Sequence, residues 1–360
     1  MTTRERFNKV LHWQTPDRIP NMDFGYWGET IDRWHNEGLP AHVRNDADVE
    51  RYLGLEGVEM IPYITVRNGL YPGFKSEVLE DNGEYQLVRD EEGNICRVLK
   101  KGTTIPQYVR FGLRTREDWE VYKKHLDYTD PGRIGDIKKE VAEAHAAGLP
   151  VRFNAGSLYG WLRNWMGVED FSITILTEKK WVEEMMEHLT EMTIYLIEKT
   201  LPGLEVDVAW WWEDMCYNRG PLISPKLFKE LMVPRYRRIT DTLRKYGIDT
   251  NILDCDGNIH ELVPGWLEGG INVMFPIESA HTDVMKLRKE FGKDVLLIGA
   301  VDKRALVKGK EAIDEELARL RPLVEKGGYI PTVDHRVPAD VSFDNYLYYV
   351  EKKRELLLGG

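Results

Sequence analysis

The sequence predicts an α/β fold, a single (β/α)₈ TIM barrel that spans residues 1–360. Short apolar or β-branched segments that end in Gly, Asp or Asn alternate with longer segments of helical spacing. Eight such strands along 360 residues fit a closed barrel better than an open sheet. The first predicted strand is not followed by a glycine-rich phosphate loop, which argues against a dinucleotide-binding fold.

The predicted strands share an apolar, β-branched core and a polar or glycine terminus. They are residues 18–23, 58–63, 150–155, 206–212, 248–254, 271–276, 295–300 and 328–332. Between them, apolar residues recur every three or four positions over 181–200, which predicts a helix. A second helix is expected over 225–246, because Ser224 is a good N-cap and Pro225 suits the first helical position.

One stretch, residues 77–111, breaks the alternation. Two turn signals, Asn82-Gly83 and Glu92-Gly93, separate segments with a period of two. We therefore predict a β-hairpin inserted near the N-terminus of the barrel and not a separate domain.

Composition narrows the functional classes. The net charge of −11 and the pI of about 5.5 disfavour binding to nucleic acid, because such a surface repels phosphate backbones. The three cysteines, Cys96, Cys216 and Cys255, are widely spaced and predict a reducing compartment. Without an apolar signal core in residues 1–14 or a run near the ~18 residues of a membrane span, we expect a cytoplasmic protein. The 11 Trp and 17 Tyr residues suggest an aromatic pocket.

Polar residues follow most of the predicted strands, where a barrel of this kind carries its active site. They are Asp23, Asn154, Glu213, Asp214, Asp254, Asp256, Glu278, His281, Asp302, Asp334 and His335. Converging carboxylates raise one another's pKa, which leaves one of them able to act as a general acid. Capping of the helix that follows each strand is the alternative for any single Asp.

The segment Asp254-Cys255-Asp256-Gly257 is the most distinctive of these motifs. Because side chains alternate along a strand, Asp254 and Asp256 are expected to point together toward the barrel mouth, with Cys255 packed away from it. The two carboxylates then bind a divalent metal or share a proton, and a tight Asx turn is the alternative.

Two further motifs flank this segment. Asp334-His335, at the end of the last strand, is suited to proton transfer or to a hydrogen bond that holds the loop. Trp210-Trp211-Trp212 precedes Glu213 and Asp214. Because side chains alternate along a strand, Trp211 is expected to pack in the core. At least one of the three indoles is expected to stack on a substrate.

These motifs resemble the uroporphyrinogen decarboxylase superfamily over nearly the whole chain, and within it the corrinoid-dependent methyltransferases. The segments that carry the resemblance are TTRERFNKVLHWQTPDRIP, WWWEDMCYNRGPLISPKLFKELMVPRYRRI, LDCDG, GGINVMFPIESAHTDVMKLRKEFG, LLIGAVDKRAL and GGYIPTVDHRVPADVSFDNY. The resemblance implies a single (β/α)₈ barrel with its site at the strand C-termini, and His335 matches the C-terminal histidine of the family.

Two departures from the family patterns change the implied reaction. The decarboxylases carry an R-Q-A-G-R stretch for substrate carboxylates, whereas residues 21–29 here are acidic and aromatic. The coenzyme M methyltransferases carry zinc on H-x-C-G and a distant Cys, whereas Asp254, Asp256 and Asp334 stand at or near those places here. Hard carboxylates in place of soft ligands argue against a thiol-activating zinc.

What the resemblance then implies is transfer of a methyl group from a small methylated donor to the cob(I)alamin of a corrinoid protein. A methoxylated aromatic donor, and therefore O-demethylation, suits the aromatic surplus. A cofactor-independent decarboxylase is the alternative reaction, and a non-catalytic barrel that binds corrinoid proteins is the alternative from another class. A homodimer is an open possibility.

The predicted site residues fall into two groups. Asp254, Asp256, His335 and Glu213 are expected to be catalytic, and Asp254, Asp256 and Glu213 are also the candidates for metal binding. Substrate binding is expected from Asp23, Tyr26, Asn154, Tyr159, Trp212, Asp214, Glu278 and Asp334.

Overall fold

A six-stranded parallel sheet forms the centre of the fold in the computed structural model, which describes residues 1–57, 61–100 and 106–358. In chain order the strands are β1 (Glu77–Asp81), β2 (Tyr85–Arg89), β3 (Ile95–Leu99), β4 (Gln107–Arg110), β5 (Arg152–Gly156), β6 (Val208–Trp212), β7 (Cys216–Tyr217), β8 (Gly220–Pro221), β9 (Asn251–Asp254), β10 (Val273–Ile277), β11 (Leu296–Val301) and β12 (Tyr329–Val333). The central sheet has the order β12-β11-β10-β9-β6-β5, and all its pairs are parallel. Each of these six strands overlaps a predicted strand along the chain.

Helices follow the strands and cover the sheet. They are α1 (Thr3–Leu11), α2 (Gly28–Asn36), α3 (Asp46–Leu53), α4 (Arg116–His125), α5 (Ile137–Ala146), α6 (Gly160–Met166), α7 (Val168–Thr177), α8 (Lys179–Thr200), α9 (Pro225–Leu231), α10 (Val233–Lys245), α11 (Val263–Glu268), α12 (Val284–Phe291), α13 (Lys303–Lys308), α14 (Lys310–Lys326) and α15 (Phe343–Leu357). None of the helices in the described part of the chain is long and apolar enough to cross a membrane.

The predicted helix over 225–246 is two helices. Ser224 caps α9 as expected, since its side chain accepts a hydrogen bond from Leu227 N–H. The chain then breaks at Met232, and Pro234 lies in the first turn of α10, where a residue without an N–H is tolerated. Pro234 therefore starts a second helix and does not continue the first.

At the β5 edge of the sheet, an irregular segment lies where a strand was predicted. Of the strand expected over 58–63, residues 58–60 lie outside the described part, and Tyr63 makes an isolated parallel bridge to Arg152. Arg152 N–H donates to Pro62 O and Ile64 N–H donates to Arg152 O, each at 3.0 Å. The segment thus lies parallel to β5 without forming a regular strand.

The opposite edge, at β12, is covered by the segment expected as the first strand, residues 18–23, which is not a regular strand. Its backbone bonds to loops and side chains: Asn21 N–H donates to Glu56 Oε2 at 2.9 Å, and Glu56 N–H donates to Asn21 O at 2.8 Å. The side chain of Asp23 accepts from Val333 N–H of β12 at 2.9 Å. Partners other than a neighbouring strand therefore hold this segment against the sheet.

The insertion is larger than the predicted hairpin. Strands β1 to β4 form an antiparallel sheet in sequence order, with Asn82-Gly83 between β1 and β2 and Glu92-Gly93 between β2 and β3. Both predicted turns are confirmed, and the predicted hairpin is present; it is extended by β3 and by β4, which pairs with β3.

Candidate active site

Two cavities open where the parallel strands end. The first, about 730 Å³, is here called the aromatic cavity, and its walls are Tyr63, Tyr71, Trp161, Trp165, Trp210 and Trp212. The second cavity, about 650 Å³, is lined by polar groups that include Arg163, Asp214, Asp256, Glu278 and His281. Both lie at the end of the sheet at which a TIM barrel carries its active site.

Strand alternation builds one wall of the aromatic cavity. Trp210 and Trp212 of β6 face it, whereas Trp211 points away, donates to Asn251 Oδ1 at 3.2 Å and packs edge-on against Tyr236. The Arg163 guanidinium lies 5.3 Å from the Trp212 ring, a cation–π contact that holds this indole.

Trp161, at the start of α6, forms the facing wall because two glycines leave room for it. A Cβ atom at Gly156 would lie 2.6 Å from Trp161 Cη2, and one at Gly69 would lie 3.3 Å from Cζ2. Both glycines have positive φ values, +80° and +130°, which glycine tolerates best. The indole therefore lies directly against backbone.

Glu213 is buried behind this wall. Its carboxylate accepts five hydrogen bonds, from Ser157 Oγ, Tyr236 OH and the N–H groups of residues 158, 159 and 160, at 2.7 to 3.2 Å. The structure places this predicted catalytic residue as the group that holds the β5–α6 loop, because its oxygens are already occupied. Tyr159 is buried as well, packs edge-on against Phe171 and does not line either cavity.

Asp254 ends β9 and lines the aromatic cavity beside Asn154 and Trp212. Burial raises the pKa of its carboxyl well above the usual range, and the charges of Asp256 and Asp214 add to this, while Arg152 and Trp210 act in the opposite direction. The raised pKa favours the protonated form of this carboxyl. Asp254 is therefore a candidate proton donor on the wall of the aromatic cavity.

Asp256 faces the second cavity and not the first, so the expectation that the two aspartates point together was wrong. The reason is that β9 ends at Asp254, after which strand alternation no longer applies. Asp256 Oδ2 lies 3.4 Å from His335 Nε2. The imidazole is held between Phe24, at 5.4 Å edge-on, and Trp27, stacked at 6.0 Å.

Three further acidic groups at the mouth have hydrogen-bond partners. Asp214 accepts from Arg163 Nη1 at 2.8 Å, and Glu278 accepts from Lys303 Nζ at 3.2 Å. Asp334 is buried below them, accepts from the N–H groups of Ser279 and Lys303, and has its pKa raised to about 6 by burial. These pairs order the loops around the second cavity.

Asp23 and Tyr26 lie outside both cavities, although they were expected to bind substrate. Asp23 is fully buried, 3.0 Å from the buried Lys353 Nζ, and accepts from the hydroxyls of Tyr346 and Tyr349 at 2.8 and 3.1 Å. The hydroxyl of Tyr26 lies 2.8 Å from that of Tyr346. Both residues join the N-terminal segment to α15, so Asp23 presents no charge to a substrate.

Sequence reasoning missed the part of the aromatic cavity that comes from outside the barrel strands. The loop 67–73 contributes Asn68 and Tyr71, and the β2–β3 turn of the insertion contributes Glu91 and Glu92. Trp161 and Trp165 could have been predicted from the sequence, because two Trp residues at helical spacing soon after the end of a strand are an unusual pattern.

The candidate metal ligands do not converge. Glu213 is occupied by its five donors, and Asp254 and Asp256 line different cavities. Within residues 1–57, 61–100 and 106–358, no group of three His, Cys, Asp or Glu side chains is placed to hold a metal ion. The residues present therefore do not fit a zinc site of the thiol-activating kind.

Comparison with known proteins identifies the family. The uroporphyrinogen decarboxylase (URO-D) family model matches residues 99–356, well over half of the chain. The chain belongs to the uroporphyrinogen decarboxylase family. The predicted α/β fold, a (β/α)₈ TIM barrel, is the fold of this family and is confirmed, and in this chain it carries the inserted β-structure.

One solved structure extends the likeness in fold over 99% of the chain. A methyltransferase from Methanosarcina mazei is 15% identical, with 99% of both chains covered and a TM-score of 0.63, and so shares the fold. A B12-independent methionine synthase from Shewanella sp. W3-18-1 in complex with selenomethionine is 11% identical, with 95% of this chain and 100% of that chain covered and a TM-score of 0.48. No curated protein matches the sequence at a significant level.

Proposed function

We propose that this member of the uroporphyrinogen decarboxylase family is a methyltransferase that removes the methyl group of a methoxylated aromatic compound and passes it to a corrinoid protein. The observation that carries the proposal is the aromatic cavity with the Asp254 carboxyl, whose pKa is raised by burial, on its wall. An aryl ring stacks on indole and phenol faces, and the carboxyl supplies the proton that a phenolate leaving group needs.

The cavity suits a single substituted ring. Its volume of about 730 Å³ is within the range of small-molecule sites. Asn68 and Asn154 add amide groups for the polar substituents of the ring. A ring between Trp161 and Trp212 brings its ether oxygen toward Asp254, and the proton moves from that carboxyl to the oxygen as the carbon–oxygen bond breaks.

The rim of the mouth fits a large, flat acceptor. Tyr63 lines the aromatic cavity and Tyr217 lines the second cavity, and they are 43% and 66% exposed, so that aromatic side chains are available at the opening of the cavities. When bound, a reduced corrinoid supplies the nucleophile that accepts the methyl group. The chain itself then needs no nucleophile, and its own residues orient the ring, exclude water and donate the proton.

The test is an anaerobic incubation of the purified protein with methoxylated aromatic compounds and cob(I)alamin. We expect release of the phenol with an equal loss of the cob(I)alamin absorbance, and neither change without the protein. Absence of phenol from every methoxylated ring, with a folded protein, would refute the proposal.

Decarboxylation is the second candidate, because it is the reaction that names the family. It needs no corrinoid, so release of CO₂ from a carboxylated substrate in the absence of cob(I)alamin distinguishes it. If the protein binds a corrinoid protein but turns over neither substrate class, the non-catalytic alternative is favoured.

A further inference from the structure

Two of the three cysteines lie side by side at the mouth of the barrel. Cys216 is in β7, just after β6, and Cys255 directly follows β9, the neighbouring strand. Both are buried free thiols. Cys255 Sγ lies 3.3 Å from the backbone N of Met215, the residue that precedes Cys216, so the two side chains are near neighbours that interact electrostatically.

Backbone contacts hold the two cysteine segments together on both sides of this pair. Met215 N–H donates to Cys255 Sγ at 3.3 Å, and Asn258 N–H donates to Tyr217 O at 2.9 Å. A Cβ atom at Gly257 would lie 2.8 Å from Tyr217 O, so that only glycine permits this approach. The thiols are therefore kept as neighbours by the fold and not by a chance rotamer.

The two thiols differ in access. Cys216 lines the second cavity beside Asp256, whereas Cys255 lies behind it, 1% exposed. A small oxidant that enters the second cavity therefore meets Cys216 first. Burial, the adjacent Cys216 and the charge of Asp214 raise the pKa of Cys255, which lowers the fraction of reactive thiolate at this sulfur.

We propose that Cys216 and Cys255 form a reversible disulfide when the protein meets a peroxide. The peroxide oxidises the Cys216 thiol to a sulfenic acid and releases one water. The Cys255 sulfur then attacks the Cys216 sulfur, a second water leaves with the Cys255 proton, and the S–S bond forms. In total, two thiols lose two electrons and two protons, and one hydrogen peroxide becomes two waters.

The bond would change the site because Cys255 lies between Asp254 and Asp256 in the chain. Drawing Cys255 Sγ from Met215 N–H toward Cys216 turns the backbone that carries both carboxyls. This consequence rests on the proposed function, for which a misplacement of about 1 Å lowers turnover roughly 10²-fold. Such a switch stops an enzyme that depends on a strongly reduced acceptor when conditions become oxidising.

Mass spectrometry of the wild-type protein tests the disulfide independently of any activity. After treatment with hydrogen peroxide and digestion without reductant, we expect one linked peptide pair containing Cys216 and Cys255. The pair should be about 2 Da lighter than the two free peptides and should disappear on addition of dithiothreitol. Cys216 carrying sulfinic or sulfonic acid while Cys255 remains a free thiol would overturn the proposal.

Three variants complete the test. Cys216→Ala and Cys255→Ala should each abolish the link, whereas Cys96→Ala, in the insertion, should leave it intact. If methyl transfer has been established, peroxide should lower it about 10²-fold in the wild type and in Cys96→Ala, with recovery on reduction. Equal loss in Cys255→Ala would show that the disulfide is not the cause, and circular dichroism confirms that each variant is folded.

Discussion

In the proposed reaction, Asp254 is the residue that donates the proton. The Asp254→Asn variant keeps the shape of the side chain and removes the acidic proton, so we expect methyl transfer from an aryl ether to fall about 10²–10⁴-fold. The free energy of unfolding should change little, because no helix depends on this carboxyl. Steady-state phenol release and urea unfolding measure the two quantities.

An aspartate that only caps a helix provides the control for this prediction. Asp283 accepts from the N–H groups of Met285 and Lys286 at the start of α12. Asp283→Ala should cost ~1 kcal/mol of stability and leave turnover unchanged. If Asp254→Asn behaved like this variant, Asp254 would have no part in the chemistry.

His335 can be tested through the leaving group. If the pair formed by His335 and Asp256 assists protonation, His335→Ala should slow demethylation of an aryl ether about 10²–10⁴-fold. The loss should be smaller for a methylated cation, whose leaving group departs neutral and needs no proton. His260→Ala is the matched control, since His260 pairs with Glu290 away from both cavities. An equal loss for both donors would show that His335 only positions the loop.

The raised pKa of Asp334 predicts that the free energy of unfolding depends on pH. Burial raises its pKa from 3.8 to about 6, so the folded state keeps a proton that the unfolded chain releases above pH 3.8. The free energy of unfolding is therefore highest below pH 3.8. It falls by up to about 3 kcal/mol as the pH rises through about 6, because the folded protein must then release the proton from a buried carboxyl. Urea unfolding from about pH 4 to about pH 7 should show this loss in the wild type relative to Asp334→Asn. A difference between the two proteins that does not vary with pH would contradict it.

At the scale of elements, the β5–α6 connection positions the aromatic wall. Ala at Gly156 would meet Trp161 at 2.6 Å and would also be strained at φ +80°. We expect Gly156→Ala to weaken donor binding, seen as a raised KM, because the indole must move into the cavity. The strain alone costs about 1–2 kcal/mol in the free energy of unfolding.

A Gly203→Ala variant is the control that carries the backbone strain without a steric contact. The φ of Gly203 is +75° and nothing lies within 4 Å of a Cβ atom built there, so Gly203→Ala carries the same backbone cost without the clash. This variant should lose a similar part of its stability and keep the wild-type KM. An unchanged KM in Gly156→Ala would mean that Trp161 does not contact the donor.

The elements also show what could be predicted from the sequence. Strands such as β11, buried on both faces, read as continuous apolar runs and were located correctly. Residues 18–23 were also expected to form a strand, but they bond to Glu56 and α15, a choice of partners that local pattern does not encode. In the site, strand-end groups such as Asp254 and Trp212 were foreseen, whereas Asn68 and Glu92 reach the cavity through tertiary folding of a loop and an insertion.

At the scale of the whole molecule, a buried ion pair joins the two ends of the chain. Asp23, in the N-terminal segment, and Lys353, in α15, are each 0% exposed and 3.0 Å apart. Lys353 Nζ also donates to Met22 O at 2.8 Å. The N-terminal segment, which has no strand ladder of its own, is thus held at the β12 edge by a charge pair that is wholly desolvated.

This arrangement predicts a large effect far from the cavities. Lys353→Met should lower the free energy of unfolding by about 3–5 kcal/mol, because it leaves the Asp23 carboxylate buried and without its cation. The exposed pair of Lys310 and Asp344, with side chains 46% and 76% exposed at 2.9 Å, is the control, and Lys310→Met should cost less than about 1 kcal/mol. Urea unfolding measures both, and the KM of any Lys353→Met protein that remains folded should be that of the wild type. A cost as small as that of Lys310→Met would mean that the N-terminal segment is held by its apolar contacts and not by the ion pair.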